Sequence, residues 1–228
     1  MDSKTVKDDR SFLDKLMGSK YFELVGLLCL IIVYSLIVQS RSGKFLSLNN
    51  MGNILKEIVV YGILSCALAF PLLNGTFDLS IESTCALGGT LCGLLVTDGL
   101  YGLKTGMVMA IVISVLLCCI IGVVNGIIVS RTKIDPFIVT LATQTVVRGV
   151  VYIVSDNTAV TQLPPAFKSL STGTIFGVSV SVWTLIFVFA VMALVLGKTS
   201  YGRKIYAIGG NYQAAYNSGI NVKRIRFS

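Results

Sequence analysis

Met107-Val-Met-Ala-Ile-Val-Ile-Ser-Val-Leu-Leu-Cys-Cys-Ile-Ile-Gly-Val-Val-Asn-Gly-Ile-Ile-Val129 contains no charged residue, and its reading decides the fold. An apolar run of about 17 to 25 residues is long enough to cross a bilayer as a helix. Outward from this block the pattern repeats. Phe22 to Val38, Ile58 to Leu73 and Ile81 to Val96 precede it, and Pro136 to Val154 and Val182 to Leu196 follow. The composition agrees, since the chain is 54% hydrophobic and 13% charged with a mean hydropathy of +0.81, more apolar than a water-soluble domain. The expectation is an all-α polytopic membrane protein of about six transmembrane helices, with the lipid bilayer as its solvent.

The same composition excludes several functions. All six cysteines, Cys29, Cys66, Cys85, Cys92, Cys118 and Cys119, fall inside apolar blocks without a CxxC pair, and the chain has no histidine. Disulfide frameworks and His-bearing metal sites do not fit that pattern, whereas cysteine as a small apolar residue does. An intramembrane enzyme would need paired carboxylates or a nucleophile with its base, and neither is visible. No GxxxxGK[ST] phosphate loop occurs, so no cofactor is expected in this chain. The net charge of +8 sits at the ends of apolar blocks instead of forming a continuous stripe, which suits membrane orientation and not nucleic acid.

Orientation follows from the basic residues. With the N-terminus in the cytoplasm, one side of a six-span arrangement holds Lys4, Lys7, Arg10, Lys15, Lys20, Arg131, Lys133, Lys198, Arg203, Lys204, Lys223, Arg224 and Arg226; the other holds Arg41, Lys44, Lys104 and Lys168. Thirteen against four predicts that both termini are cytoplasmic. The charged start, Met1 to Lys20, lacks a small-residue cleavage site and is followed by several spans, so it is expected to remain as an anchor. The expected organisation is a cytoplasmic segment over 1–20, a transmembrane domain over 21–197 and a cytoplasmic segment over 198–228.

Blocks two and three are short and separated only by Asn74 to Ser80, with Pro71 and Gly75 interrupting the apolar run. Two readings stand: a helix broken or re-entrant within the membrane near 71–80, lining a pathway, or an ordinary tight turn. Ser155 to Val180, with Pro164 and Pro165, is the longest polar connection and reads either as a cap over a pathway or as a solvated loop.

Asp78 stands where the third span begins, and there a carboxylate accepts hydrogen bonds from free helix amides and meets the helix dipole; Ser80 is expected to do the same one step later. The fifth block carries Thr140, Thr143, Gln144 and Arg148, which at 100° per residue share about 140° of helix face. Lipid contact along this stripe is costly, about 2.5 to 3.5 kcal/mol on insertion scales for a central arginine alone. The stripe therefore lines a hydrophilic solute pathway, or its Thr and Gln bond neighbouring helices while Arg148 snorkels outward. Gly89 with Gly93 and Gly122 with Gly126 are GxxxG pairs that permit close helix approach, and Asn125 between the latter needs buried partners.

The order of these residues resembles the permease family of bacterial ATP-binding-cassette importers for ribose, xylose, arabinose, galactosides and related small polar solutes. Gly75-Thr76-Phe77-Asp78-Leu79-Ser80, Gly122-Val123-Val124-Asn125-Gly126 and Pro136-Phe137-Ile138-Val139-Thr140-Leu141-Ala142-Thr143, continuing to Arg148-Gly149, are similar to three family segments. A fourth comprises Gly202-Arg203, Tyr206-Ala207-Ile208-Gly209-Gly210-Asn211, Ala214-Ala215 and Ser218-Gly219-Ile220-Asn221. The resemblance implies a non-enzymatic permease in the bacterial plasma membrane that pairs with a second permease subunit, binds cytoplasmic ATPase subunits that carry the ATP, and receives simple sugar from an extracytoplasmic binding protein. It implies a coupling loop for the last segment, including Gly209, Gly210, Asn211, Gln213, Ala214, Ala215 and Gly219. A polar, basic run with two alanines beside a membrane span also suits, on its own terms, a short helix seated in a protein groove. Thr76 and Glu82 stand where many relatives have Gly, and Gln213 and Tyr216 where Glu and Arg are frequent. The family continues past this segment into further helices, so the resemblance implies a fragment or truncated product. The rival readings are an ion-coupled secondary transporter, for which Asp78 and Arg148 are a thin supply of intramembrane charge, and a structural subunit.

Overall fold

A computed structural model describes residues 22–97 and 102–227; the expected segment 1–20 lies outside them. The described residues form α1 (Phe22–Ser42), α2 (Leu48–Leu73), α3 (Ser80–Val96), α4 (Met107–Arg131), α5 (Pro136–Val154), α6 (Pro165–Thr172), the hairpin β1 (Thr174–Ile175) and β2 (Val178–Ser179), α7 (Val180–Lys198), α8 (Ser200–Gly210), α9 (Tyr212–Asn217) and α10 (Val222–Phe227). Helices α1, α2, α4, α5 and α7 are long and apolar enough to cross a membrane, and α3, at 17 residues, is a shorter apolar helix. The fold is that of a polytopic helical membrane protein. Neither α1 nor α7 contains a buried residue, as expected of helices whose apolar side chains are solvated by lipid.

The second block is longer than its apolar run suggests. Helix α2 covers 26 residues from Leu48, because Asn50, Asn53, Lys56 and Glu57 end the apolar run without ending the helix. It also passes through Pro71, which in a last turn removes one hydrogen bond and leaves the preceding turns intact. The polar connection 155–180 is likewise more than a solvated loop. It contains α6 and the β1–β2 pair, and Leu163 and Phe167 pack against Cys92, Leu95, Val96 and Ala110.

The chain divides into two compact units, Met1–Leu55 and Lys56–Ser228. In the first, Gln39 ties the turn after α1: its Oε1 accepts from the Leu46 amide at 2.9 Å and its Nε2 donates to the Gly43 carbonyl at 3.2 Å. In the second, α3 is the hub and packs extensively on both α4 and α5. Leu87 and Leu91 of α3 meet Val147 and Val151 of α5 in one buried cluster. Small residues allow this closeness, since a methyl group at Gly88 would lie 3.0 Å from Cys118 Sγ of α4. Of the GxxxG glycines, Gly93 abuts Val160 and Gly126 abuts Phe227, whereas Gly89 and Gly122 face open space.

Candidate functional site

Between α2 and α3 the backbone leaves the helical path at Asn74 and Gly75 and re-enters it at Ser80. Gly75 has φ +74°, a conformation that suits glycine. The turn is held from the helix it ends, because the Thr76 amide and hydroxyl both donate to the Pro71 carbonyl, at 2.9 and 3.1 Å. Thr140 Oγ1 lies 3.3 Å from the Phe77 carbonyl. The break is thus level with a point about 6 Å along α5 from Pro136, at 1.5 Å per residue.

Asp78 serves the helix that follows it. Its Oδ1 accepts from the Ser80 amide at 2.8 Å and from Ser80 Oγ at 2.7 Å, which satisfies a free donor of α3's first turn. Ser80 does not cap α3 as expected. Its hydroxyl is taken by Asp78 on one side and by Asn125 Nδ2, at 2.9 Å, on the other. Asn125 Oδ1 in turn accepts from Thr143 Oγ1 at 2.6 Å. Asp78, Ser80, Asn125 and Thr143 therefore form one polar ladder across α3, α4 and α5, with Ser80 and Asn125 only 3% and 5% exposed. Losing the cap is expected to cost about 1 kcal/mol. Asp78→Ala should lower the thermal midpoint of the detergent-purified chain accordingly, and an unchanged midpoint would show that the carboxylate caps nothing.

The remaining stripe residues point to another acid. Arg148 Nη2 forms an ion pair with Glu82 Oε1, and Gln144 Nε2 lies 3.4 Å from Glu82 Oε2. Glu82 was missing from the sequence-derived candidates. Its signal was an acidic residue in the first turn of an apolar helix, whose partner lies 66 residues away.

An open cavity of about 960 Å³ adjoins the break. Asn74, Thr76, Phe77 and Asp78 line it, with Asn125 and Gly126 of α4, Thr140 of α5, Val188 and Met192 of α7, Tyr201 and Ile205 of α8, and Arg226 and Phe227 of α10. Of the candidate pathway residues, the structure brings Asp78, Asn125 and Thr140 to this wall. Ser80 and Thr143 stand behind it in the ladder, and Gln144 and Arg148 lie outside it with Glu82. Two buried polar atoms at the wall, Asn74 Oδ1 and Arg226 Nε, have no hydrogen-bond partner among the described residues.

The segment from Ser200 to Phe227 closes the cavity's other side. Its three helices begin at side-chain caps: Thr199 accepts from the Gly202 amide, Asn211 from Ala214 and Asn221 from Arg224. Gly219, at φ +80°, ends α9 as an αL residue. Ile208, Ala215 and Val222 form a buried cluster of their own, so Ala215 faces inward while Gln213, Ala214 and Tyr216 of the same short helix are exposed. Arg226 lies over the Tyr212 ring at 5.0 Å. Gly209 and Gly210 differ sharply. A methyl at Gly209 would overlap the Leu73 carbonyl oxygen at the end of α2, while Gly210 has nothing within 4 Å. With the Phe70–Tyr201 ring contact, at 6.3 Å, this seats α8 directly on the broken end of α2.

Residues 50–228 match the family described as branched-chain amino acid transport system / permease component. The chain belongs to that family. This permease-family chain is 33% identical over 206 residues to the ribose import permease protein RbsC of Haemophilus influenzae, covering 89% of itself and 61% of that relative. It is 34% identical over 184 residues to the L-arabinose ABC transporter permease protein AraH of Azospirillum brasilense, covering 81% and 53%. With RbsC of Escherichia coli K12 the identity is 33% over 231 residues, covering 99% and 68%. The chain thus spans roughly half to two thirds of the length of these relatives. No solved structure matches it.

Proposed function

We propose that this chain is the membrane-spanning permease part of an ATP-driven importer of simple sugars in the bacterial plasma membrane. The observation that carries the reading is the seat of α8 on the broken end of α2, beside a cavity lined by Asp78, Asn125 and Thr140. A force applied to the basic segment 198–228 has a route to the cavity wall, because Gly209 and Tyr201 abut α2 and Ile205, Arg226 and Phe227 line the cavity themselves. The relatives' names, ribose and arabinose import permeases, support the solute class.

In this reading ATP binds and is hydrolysed on separate ATPase subunits, which grip the exposed Gln213 and Ala214 of α9 together with Asn211 and Gly219 at its ends. A second permease subunit completes the pathway, and an extracytoplasmic binding protein delivers the solute. The excess of lysine and arginine on one side supports a cytoplasmic location for both termini. The chain's own residues bind and guide. Asp78 and the ladder hold the break in shape, and the apolar wall around them leaves few polar groups to orient a sugar.

The test is uptake of radiolabelled D-ribose and L-arabinose into proteoliposomes holding the complete permease with its ATPase and binding protein. Uptake is expected only with ATP inside the ATPase compartment. A cysteine placed at Asn217 is expected to react with an impermeant maleimide from the cytoplasmic face alone. Uptake driven by an ion gradient without ATP, or labelling of that cysteine from outside, would overturn the reading.

A further inference from the structure

Resting on the importer reading, we propose that Glu82, Gln144 and Arg148 form a second solute-binding station, distinct from the cavity, that takes the hydroxyls of a neutral polyhydroxylated solute. The Glu82–Arg148 pair is the one salt bridge between described residues, and it joins the two most extensively packed helices. Measured along α5 from Pro136, Arg148 lies about 18 Å in, past the middle of a hydrocarbon core about 30 Å thick. At that depth the side chains remain open, 59% exposed for Glu82 and 31% for Arg148. Charges so uncovered are not stable against acyl chains, and intramembrane ionisable groups characteristically face a polar interior or a water-filled path.

The chemistry of the trio fits hydroxyl groups. Glu82 only accepts hydrogen bonds, Arg148 only donates them, and the Gln144 amide does both. One carboxylate oxygen is engaged by Arg148, and the other has only the long 3.4 Å approach of Gln144, so accepting capacity is left for the paired hydroxyls of a diol. Four of the five guanidinium N–H groups are left for hydroxyl oxygens. The pair is neutral as a unit. It therefore offers no net attraction to an anion or to a cation.

The station and the polar ladder share α3 and α5 but not one face: Glu82 lies about 160° round α3 from Ser80, and Gln144 about 100° round α5 from Thr143, so a solute held by the trio is held apart from the ladder and the cavity.

The experiment uses the complete transporter in proteoliposomes with D-ribose and L-arabinose as probes. It compares the wild type with Glu82→Gln/Arg148→Gln, the charge-swapped Glu82→Arg/Arg148→Glu, and Thr145→Val, an exposed α5 position that bonds only its own helix. The expected result is at least a tenfold loss of maximal uptake in both pair variants, with ATP hydrolysis stimulated by the loaded binding protein retained and Thr145→Val unchanged. Normal uptake in the double amide variant overturns the station. So does restoration of uptake by the charge swap, which would make the pair structural. Loss of the assembled complex on size exclusion in both pair variants also overturns it, in favour of an assembly surface. If the wild type takes up neither sugar with ATP, the importer reading itself fails, an outcome separate from these.

Discussion

Gly209→Ala is expected to cut ATP-driven sugar uptake about tenfold or more, while Gly210→Ala leaves it essentially unchanged. The two neighbours share a residue type and the end of one helix. Only the first faces an obstacle, because a methyl there overlaps the Leu73 carbonyl while Gly210 looks into open space. A flexible side chain could swing away, but Leu73 O is backbone at the end of α2, and it moves only with Asn74 and the turn behind it. Overpacking of this kind costs roughly 1–3 kcal/mol, equivalent to about 5- to 150-fold if it falls on the coupling between the segment and the break. Uptake and ATP hydrolysis measured together decide the matter. Hydrolysis that persists while uptake falls marks a broken transmission. Equal activity of the two alanine variants would mean that α8 does not bear on α2.

The second large effect is expected at Asn125, whose side chain joins Ser80 of α3 to Thr143 of α5. Asn125→Ala removes two buried interhelical hydrogen bonds and leaves the Ser80 hydroxyl without its donor, while Thr143 Oγ1 falls back on the Val139 carbonyl of its own helix at 3.1 Å; a buried polar group left without its partner costs about 1–3 kcal/mol. Asn125→Ala should therefore lower the unfolding midpoint in detergent more than Asp78→Ala does. A double-mutant cycle with Thr143→Val should show coupling of about 0.6 kcal/mol, up to about 1.7, the range measured for interhelical bonds in membranes. Strict additivity of the two changes would dissolve the ladder into independent local contacts.

Much of this architecture was legible because its signals are local. Block five was read as Pro136 to Val154 and α5 occupies that range. Proline at the first helical position and Asp135 before it, whose Oδ1 takes the Phe137 amide at 2.8 Å, are start signals written in adjacent residues. The start of α2 was hidden because hydropathy marks where lipid begins and helices do not end there. The candidate site was half legible for a related reason. Periodicity grouped Thr140, Thr143, Gln144 and Arg148 on one face of α5, but what each meets is set by helices far away in sequence. Thr143 found Asn125, and Arg148 found Glu82. Nor did any local pattern announce that Asn74, Tyr201 and Phe227 share one cavity wall, since that follows from the folding back of α8 to α10.

Pro71 has a chemical consequence of its own. Lacking an amide hydrogen, it offers nothing to the Ala67 carbonyl one turn earlier, and both residues border the cavity. An acceptor without its helical donor in a greasy wall is a foothold for a water molecule or a passing hydroxyl group. The main chain of α2 thereby adds a wet rung to a surface whose side chains there are almost all hydrocarbon.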